Sequence, residues 1–252
     1  MKNQYIGDIG DYGKYGLLRF LALRGVKIGV NWYLTENDYS SDGEKTDYLK
    51  DDAQAVYDDF VFYRLKRIVE KGKYEKRIQD VEAASLIPNA KYYNEVLDTS
   101  SIKDRKERCS VRNHWHRSAM ATLKNDTDLI FADPDNGTLR QTSKPSINNG
   151  EKYTTLDELA DYYNAGKDVV YYCHKARRSE DKWIAKMNEL KEKLPEVRIV
   201  VLTFRRGSQR SYIFGIHPES VDNYEKHIAE FLKTDWCKIS VGKKNIPFVR
   251  EQ

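Results

Sequence analysis

Two polar segments of this 252-residue chain carry side chains that could do chemistry. The first is Asp133-Pro134-Asp135-Asn136, which follows an apolar run and precedes a glycine. An apolar run of this kind predicts a buried parallel strand, here residues 128–132. Such strands deliver their last residues to the carboxyl edge of an α/β sheet, where ligands bind. We therefore interpret Asp133, Asp135 and Asn136 as catalytic residues, the alternative being an ordinary Asp-Pro/Asn-Gly turn.

The second segment is residues 7–16, in which four glycines alternate with acidic, aromatic and basic side chains. A helical pattern of leucines follows. Glycine allows close approach of backbone to a ligand, and helix N-termini favour anionic groups. The segment therefore predicts a ligand-facing loop that opens a helix, although a flexible leader before a capped helix is the simpler alternative. We expect its polar side chains and one strand residue to bind a cofactor: Asp8, Asp11, Tyr12, Lys14 and Asn31.

The elements that must position these residues alternate between strand and helix. Strands are predicted at 26–34, 128–132, 168–173 and 198–204, and residues 211–216 form an antiparallel hairpin with the last of these. A helical stretch begins at residue 48, and we assign residues 48–90 to an insertion after the first strand. The whole chain, 1–252, is predicted to be one α/β domain with a mostly parallel, Rossmann-like sheet that ends in an antiparallel hairpin. Because both polar segments lie at the same sheet edge, we expect them to share one cleft.

This order of elements resembles the class I adenine-N6 methyltransferases that modify large-subunit ribosomal RNA. The resemblance rests on the segment from Gly7 to Tyr15, on the helical insertion and on Asp133-Pro134-Asp135-Asn136, which stands where that family has Asp-Pro-Pro-Tyr. An arginine-rich turn at Arg205-Arg206 before the last strand is also similar. The order of elements agrees over nearly the whole chain, whereas identical motif residues are few.

The resemblance implies S-adenosylmethionine as cofactor, with Lys14 near it, and methylation of an amino group of a nucleic-acid base. In such a reaction an acceptor must orient the amine. Asp133 could accept one hydrogen bond, the backbone carbonyl beside Pro134 could accept another, and Asn136 could contact the base edge. We expect the substrate to be bound by His174, Arg205, Arg206 and Arg210.

Two other functions remain open. Asp8, Asp11, Asp133 and Asp135 are hard oxygen ligands of the type that binds Mg²⁺ or Mn²⁺, so the same cluster could serve a metal-dependent nuclease or phosphodiesterase. The loop after the first strand has no GxG sequence. This absence favours a third hypothesis, a non-catalytic nucleic-acid-binding protein on a degenerate methyltransferase fold.

Composition narrows the class of protein. Charged residues make up 33% of the chain and its formal charge is +4, which is typical of a globular protein and far from a disordered or histone-like one. The apolar runs are too short to span a membrane. Three widely spaced cysteines match neither a disulfide framework nor a zinc site. We therefore expect a cytoplasmic protein that does not contact membranes.

Overall fold

The computed structural model describes residues 1–38, 40, 42–139, 149–175, 178–242 and 245–251. Its centre is a mixed sheet of seven strands in the order β2-β1-β3-β4-β6-β5-β7. The strands are β1 (Ile28–Asn31), β2 (Lys91–Tyr93), β3 (Leu129–Ala132), β4 (Asp168–His174), β5 (Arg198–Phe204), β6 (Arg210–Ile216) and β7 (Phe248–Arg250). The first four strands are parallel, whereas β6 lies between β4 and β5 and is antiparallel to both. The predicted α/β class, with a parallel sheet that ends antiparallel, is confirmed.

Helices cover both faces of this sheet. The helices are α1 (Ile9–Ala22), α2 (Asp59–Val69), α3 (Ile78–Ala83), α4 (Arg105–Leu123), α5 (Leu156–Asn164), α6 (Glu180–Asn188), α7 (Val221–Phe231) and α8 (Asp235–Lys238). Side chains of β3 alternate between two separate cores, because successive residues of a strand point to opposite faces. Phe131 packs with α1, α2, α3, α7 and α8, and Ile130 packs with α4, α5 and α6.

The glycine-rich segment is helical rather than a loop, which corrects the prediction from sequence. Asp8 caps α1 by accepting a hydrogen bond from the Gly10 backbone N–H at 2.9 Å. Gly10, Gly13 and Gly16 recur every third residue, so they lie along one side of the helix. A Cβ on each would come within 2.3–2.6 Å of Arg210, Phe204 and Trp236, respectively. These glycines therefore allow α1 to pack closely against its neighbours.

The residues of the predicted insertion, 48–90, contain several short helices. Two 3₁₀ helices, Asp47–Lys50 and Asp52–Val56, precede α2, and α3 follows it. The first strand is also shorter than predicted, since residues 32–38 leave the sheet. The terminal strand β7 was not predicted from sequence. Among the described residues, none of the helices has both the length and the apolar character needed to cross a bilayer.

Candidate active site at the carboxyl edge of the sheet

A cleft of about 390 Å³ lies at the carboxyl edge of the parallel strands. Pockets of this size are typical of small-molecule sites. The N-terminal part of α1 forms one wall, the residues after β3 form another, and the end of β4 with the start of β6 forms a third. The structure thus brings together eight of the predicted site residues: Asp8, Asp11, Lys14, Asp133, Asp135, Asn136, His174 and Arg210. The two polar segments therefore share one cleft, as expected, except that Tyr12 does not line it.

Lys14 joins the two segments through a buried ion-pair triad. Its ammonium lies 2.7 Å from Asp133 Oδ2 and 2.8 Å from Asp11 Oδ1, and all three side chains are almost fully buried. Burial disfavours the charged lysine, but the attraction of Asp11 and Asp133 outweighs it and raises the pKa of Lys14. Burial also raises the pKa of Asp11, and Lys14 only partly opposes this shift. The ammonium therefore stays charged at neutral pH.

A second ion pair ties α1 to the antiparallel part of the sheet. Arg210 Nη2 lies 2.6 Å from Asp8 Oδ1, and its Nη1 donates to the Arg206 carbonyl at 3.1 Å. Asp8 therefore has two functions, since it also caps α1. Burial opposes the charge of Arg210, but Tyr172 and Asp8 raise the pKa of the guanidinium. This pair fixes one end of the cleft.

Three acceptor oxygens converge on a single nitrogen beside Pro134. In the structure this nitrogen is the α-amino group of Met1, which donates to the carbonyls of Tyr33 at 2.9 Å and Asp133 at 3.2 Å. It also lies 2.6 Å from Asp135 Oδ1. The spacing of these oxygens therefore suits a nitrogen that carries two or three hydrogens.

His174 lines the cleft at the end of β4. Its Nε2 is 2.5 Å from the Tyr172 hydroxyl, and its Nδ1 is 3.3 Å from the Gln209 carbonyl. Burial and the neighbouring charge of Arg210 lower the pKa of His174. The imidazole is therefore neutral at pH 7, and this end of the cleft owes its positive charge to Arg210 and Lys45.

Four predicted residues lie away from the cleft. The Tyr12 ring stacks on Tyr48, because its position on α1 faces the insertion rather than the ligand. Asn31 is fully buried and its amide donates to the Tyr162 hydroxyl at 3.1 Å. Arg206 is buried against Gln54, and Arg205 is exposed on the outer side of the turn.

Other residues line the cleft that the sequence did not single out. Tyr172 is one, and the two-residue period of β4 could have identified it, because it shares a face with His174. Six others lie in the leader and in the loop after β1, where no periodic pattern marks them: Lys2, Tyr5, Asp38, Asp42, Glu44 and Lys45.

The charge of the cleft limits what it can bind. Seven carboxylates line it, against five lysine and arginine side chains and the α-amino group of Met1. This balance favours a ligand with a net positive charge over a free phosphate. In the described part of the chain, no group of three or more His, Cys, Asp or Glu side chains could hold a metal ion. The Lys14 ammonium lies between Asp11 and Asp133 and so occupies the position that Mg²⁺ or Mn²⁺ would need in order to bind both carboxylates.

No protein-family model matches the chain, and no curated protein matches it in sequence.

Proposed function

We propose that this protein is an S-adenosylmethionine-dependent methyltransferase that acts on an exocyclic amino group of a nucleic-acid base. The observation that carries the proposal is the convergence of the Tyr33 and Asp133 carbonyls and Asp135 Oδ1 on one nitrogen. This nitrogen is the α-amino group of Met1 in the structure, and the base amine would have to replace it. An exocyclic amine has two hydrogens to donate and needs acceptors placed in this way to orient its lone pair. The sheet order, with β6 between β4 and β5, is consistent with the resemblance to class I methyltransferases.

The cleft fits the cofactor in size, position and charge. Its volume of about 390 Å³ suits a small molecule, and it lies at the edge of the sheet where α/β proteins bind nucleotides. S-adenosylmethionine has a net charge of +1, which complements the small excess of carboxylates in the cleft. The residues that would hold it are Asp11 and Lys14 on α1 with Asp38 and Asp42 of the loop after β1. When bound, it supplies an electrophilic methyl group.

The protein's own residues orient the amine and receive its proton. The Lys14 ammonium donates to Asp133 Oδ2 at 2.7 Å and holds this side chain in place. The backbone carbonyls of Tyr33 and Asp133 would hold the two N–H groups, which aims the nitrogen lone pair away from them. Asp135 Oδ1 would take the proton that the amine loses when it is methylated. His174, neutral at pH 7, and Arg210 would contact the substrate.

Thermal shift measurements with S-adenosylmethionine and, separately, with Mn²⁺ test the cofactor. A ligand at a hundredfold excess over its Kd stabilises the folded state by about 2.7 kcal/mol. We expect S-adenosylmethionine to raise Tm and Asp42→Asn, which alters a carboxylate proposed to hold it, to reduce this rise. The matched control Asp126→Asn alters an exposed carboxylate outside the cleft, in a left-handed conformation that asparagine tolerates, and should leave the rise unchanged.

Transfer of labelled methyl groups to RNA and DNA tests the reaction. Asp135→Asn should reduce transfer by about 100-fold or more, because the amine loses the carboxylate that would take its proton. Absence of a Tm rise with S-adenosylmethionine, together with absence of transfer to either nucleic acid, would refute the proposal. Stabilisation by Mn²⁺ that is lost in Asp11→Asn would instead support the metal-dependent nuclease.

A further inference from the structure

The second half of α2 and the turn after it form the most basic surface of the insertion. Residues 63–77, here called the basic segment, contain seven lysine and arginine side chains against two glutamates, a net charge of +5. The whole chain carries only +4, so the remaining residues are close to neutral. These fifteen residues therefore carry a net positive charge that the rest of the chain, taken together, does not.

Much of this charge faces solvent on one side of α2. Arg64 and Arg67 are exposed and three residues apart, so they lie on one side of α2. Lys71 is exposed in the turn after α2, where its Nζ lies 2.6 Å from Asp80 Oδ1. Two tyrosine rings accompany them: Tyr63 is 51% exposed and Tyr74 is 45% exposed. Cations that alternate with exposed aromatic rings are typical of surfaces that bind single-stranded nucleic acid, in which phosphates pair with the cations and unpaired bases stack on the rings.

The basic segment is attached to the rim of the cleft. Lys73 Nζ donates to the Ser40 carbonyl at 2.7 Å and lies 2.5 Å from Glu44 Oε1, and Glu44 lines the cleft. Lys76 Nζ is buried and donates to the Ile6 carbonyl at 2.6 Å, just before α1. A strand bound along the basic segment would therefore pass the entrance of the cleft.

We infer that the basic segment binds a single-stranded nucleic acid and leads one of its bases to the cleft. The inference rests on the proposed function for the role of the cleft, and it adds the substrate class and the surface that recognises it. The two surfaces differ in charge. The cleft has an excess of carboxylates and suits a cationic cofactor, whereas the basic segment suits a polyanion.

Fluorescence anisotropy with labelled 16-nucleotide oligouridylate and oligothymidylate tests the inference. The test variant is Arg64→Ala/Arg67→Ala/Lys71→Ala. The matched control is Arg105→Ala/Lys106→Ala/Arg117→Ala, which removes the same charge from exposed positions of α4 on the opposite face of the sheet. Three phosphate contacts contribute about 0.7 each to the salt slope of a single strand, so the test variant should lose about 2 from that slope. Its affinity at 0.1 M salt should fall about 100-fold, and that of the control about threefold or less.

The aromatic contribution has its own pair of variants. Tyr63→Leu should weaken binding about tenfold, because a stacked base loses its partner, whereas Tyr63→Phe keeps the ring and should bind normally. Equal losses in the test variant and the α4 control, or no loss in either, would overturn the inference. Binding of the basic segment to anionic phosphatidylserine vesicles but to neither oligonucleotide would also overturn it.

The result is separable from that of the proposed function. The Tm rise with S-adenosylmethionine should be the same in the test variant and the unaltered protein, because the three cations lie outside the cleft. Strand binding that depends on the basic segment, without methyl transfer, would leave this inference standing and refute the methyltransferase. Methyl transfer that is unaffected in the test variant would refute this inference and leave the methyltransferase standing.

Discussion

Replacement of Lys14 by methionine should destabilise the protein severely. The ammonium is buried with Asp11 Oδ1 at 2.8 Å and Asp133 Oδ2 at 2.7 Å. Lys14→Met leaves two buried carboxylates without their cation, and loss of one partner from a buried pair costs about 3–5 kcal/mol. Proteins of this size have an unfolding free energy of about 5–15 kcal/mol, so the loss is a large fraction of the total. At about 2–4 °C per kcal/mol, Tm should fall by about 6–20 °C.

A neutral triad should recover most of this stability. In Asp11→Asn/Lys14→Met/Asp133→Asn no charge remains buried, and uncharged replacements of buried ion pairs are often neutral in stability. Each asparagine retains an acceptor oxygen, so Gly7 N–H can still donate to residue 11. We expect the triple variant to lie within about 2 kcal/mol of the unaltered protein, yet to have no methyltransferase activity.

Urea unfolding followed by tryptophan fluorescence measures these differences, with the slope m as a check that the denatured state is unchanged. Trp32 is a local probe, because Lys14 Nζ lies 5.4 Å from its ring. The pH dependence supplies a further test. Burial already raises the pKa of Asp11. When the pKa of a carboxyl is higher in the folded state than in the unfolded state, the unfolding free energy of the protein rises as pH falls through the folded-state pKa. The deficit of Lys14→Met should therefore shrink on acidification towards pH 4. A triple variant as unstable as Lys14→Met, or a deficit that does not change with pH, would refute the electrostatic argument.

Further predictions concern the surroundings of the triad. Gly13→Ala places a methyl group 2.6 Å from the Phe204 ring and should lower stability by about 1–3 kcal/mol in the same urea assay, despite the better helix propensity of alanine. Arg112→Met leaves Glu158 buried without its partner at 2.7 Å and should cost about 3–5 kcal/mol, but the remaining folded protein should still bind S-adenosylmethionine in a titration. Because the pKa of His174 is lowered by burial, its imidazole opposes folding as pH falls below 6.5; His174→Gln should therefore reduce the loss of Tm between pH 7 and pH 5. Burial raises the pKa of Cys173 to about 11, so this thiol should resist alkylation by iodoacetamide at pH 8 until the protein is unfolded, as mass spectrometry of the labelled peptides would show.

The sequence predicted the sheet and the place of the site because strong local patterns encode both. Apolar runs that end in polar residues identified β3 and β4, and parallel strands bring their ends together without further information. The role of the glycines could not be read in this way. Their three-residue spacing fits a flexible loop as well as a helix under close packing, and only the positions of Arg210, Phe204 and Trp236 decide between them.

The cleft residues of the leader and of the loop after β1 were missed for a similar reason. Lys2, Asp38 and Asp42 belong to irregular segments, in which side-chain direction depends on tertiary contacts rather than on a period. The same limit explains Tyr12 and Asn31, which were placed at the ligand by proximity in sequence. Tyr12 follows the cleft residue Asp11 and Asn31 ends β1, but both side chains are buried away from the cleft.

The order of strands has a consequence for how the protein reaches its folded state. Asp8 pairs with Arg210, and α1 packs on Trp236, so the cleft joins residues separated by more than 200 positions. Contacts of such long sequence separation form slowly, because the loops between them must close first. During synthesis, the side of α1 that carries Gly10, Gly13 and Gly16 stays uncovered until nearly the entire chain has been made, because its partners are Phe204, Arg210 and Trp236. Until β6 enters between β4 and β5, these two strands keep open edges. We therefore expect refolding to be slow and concentration-sensitive, with the ligand cleft among the last parts to become competent.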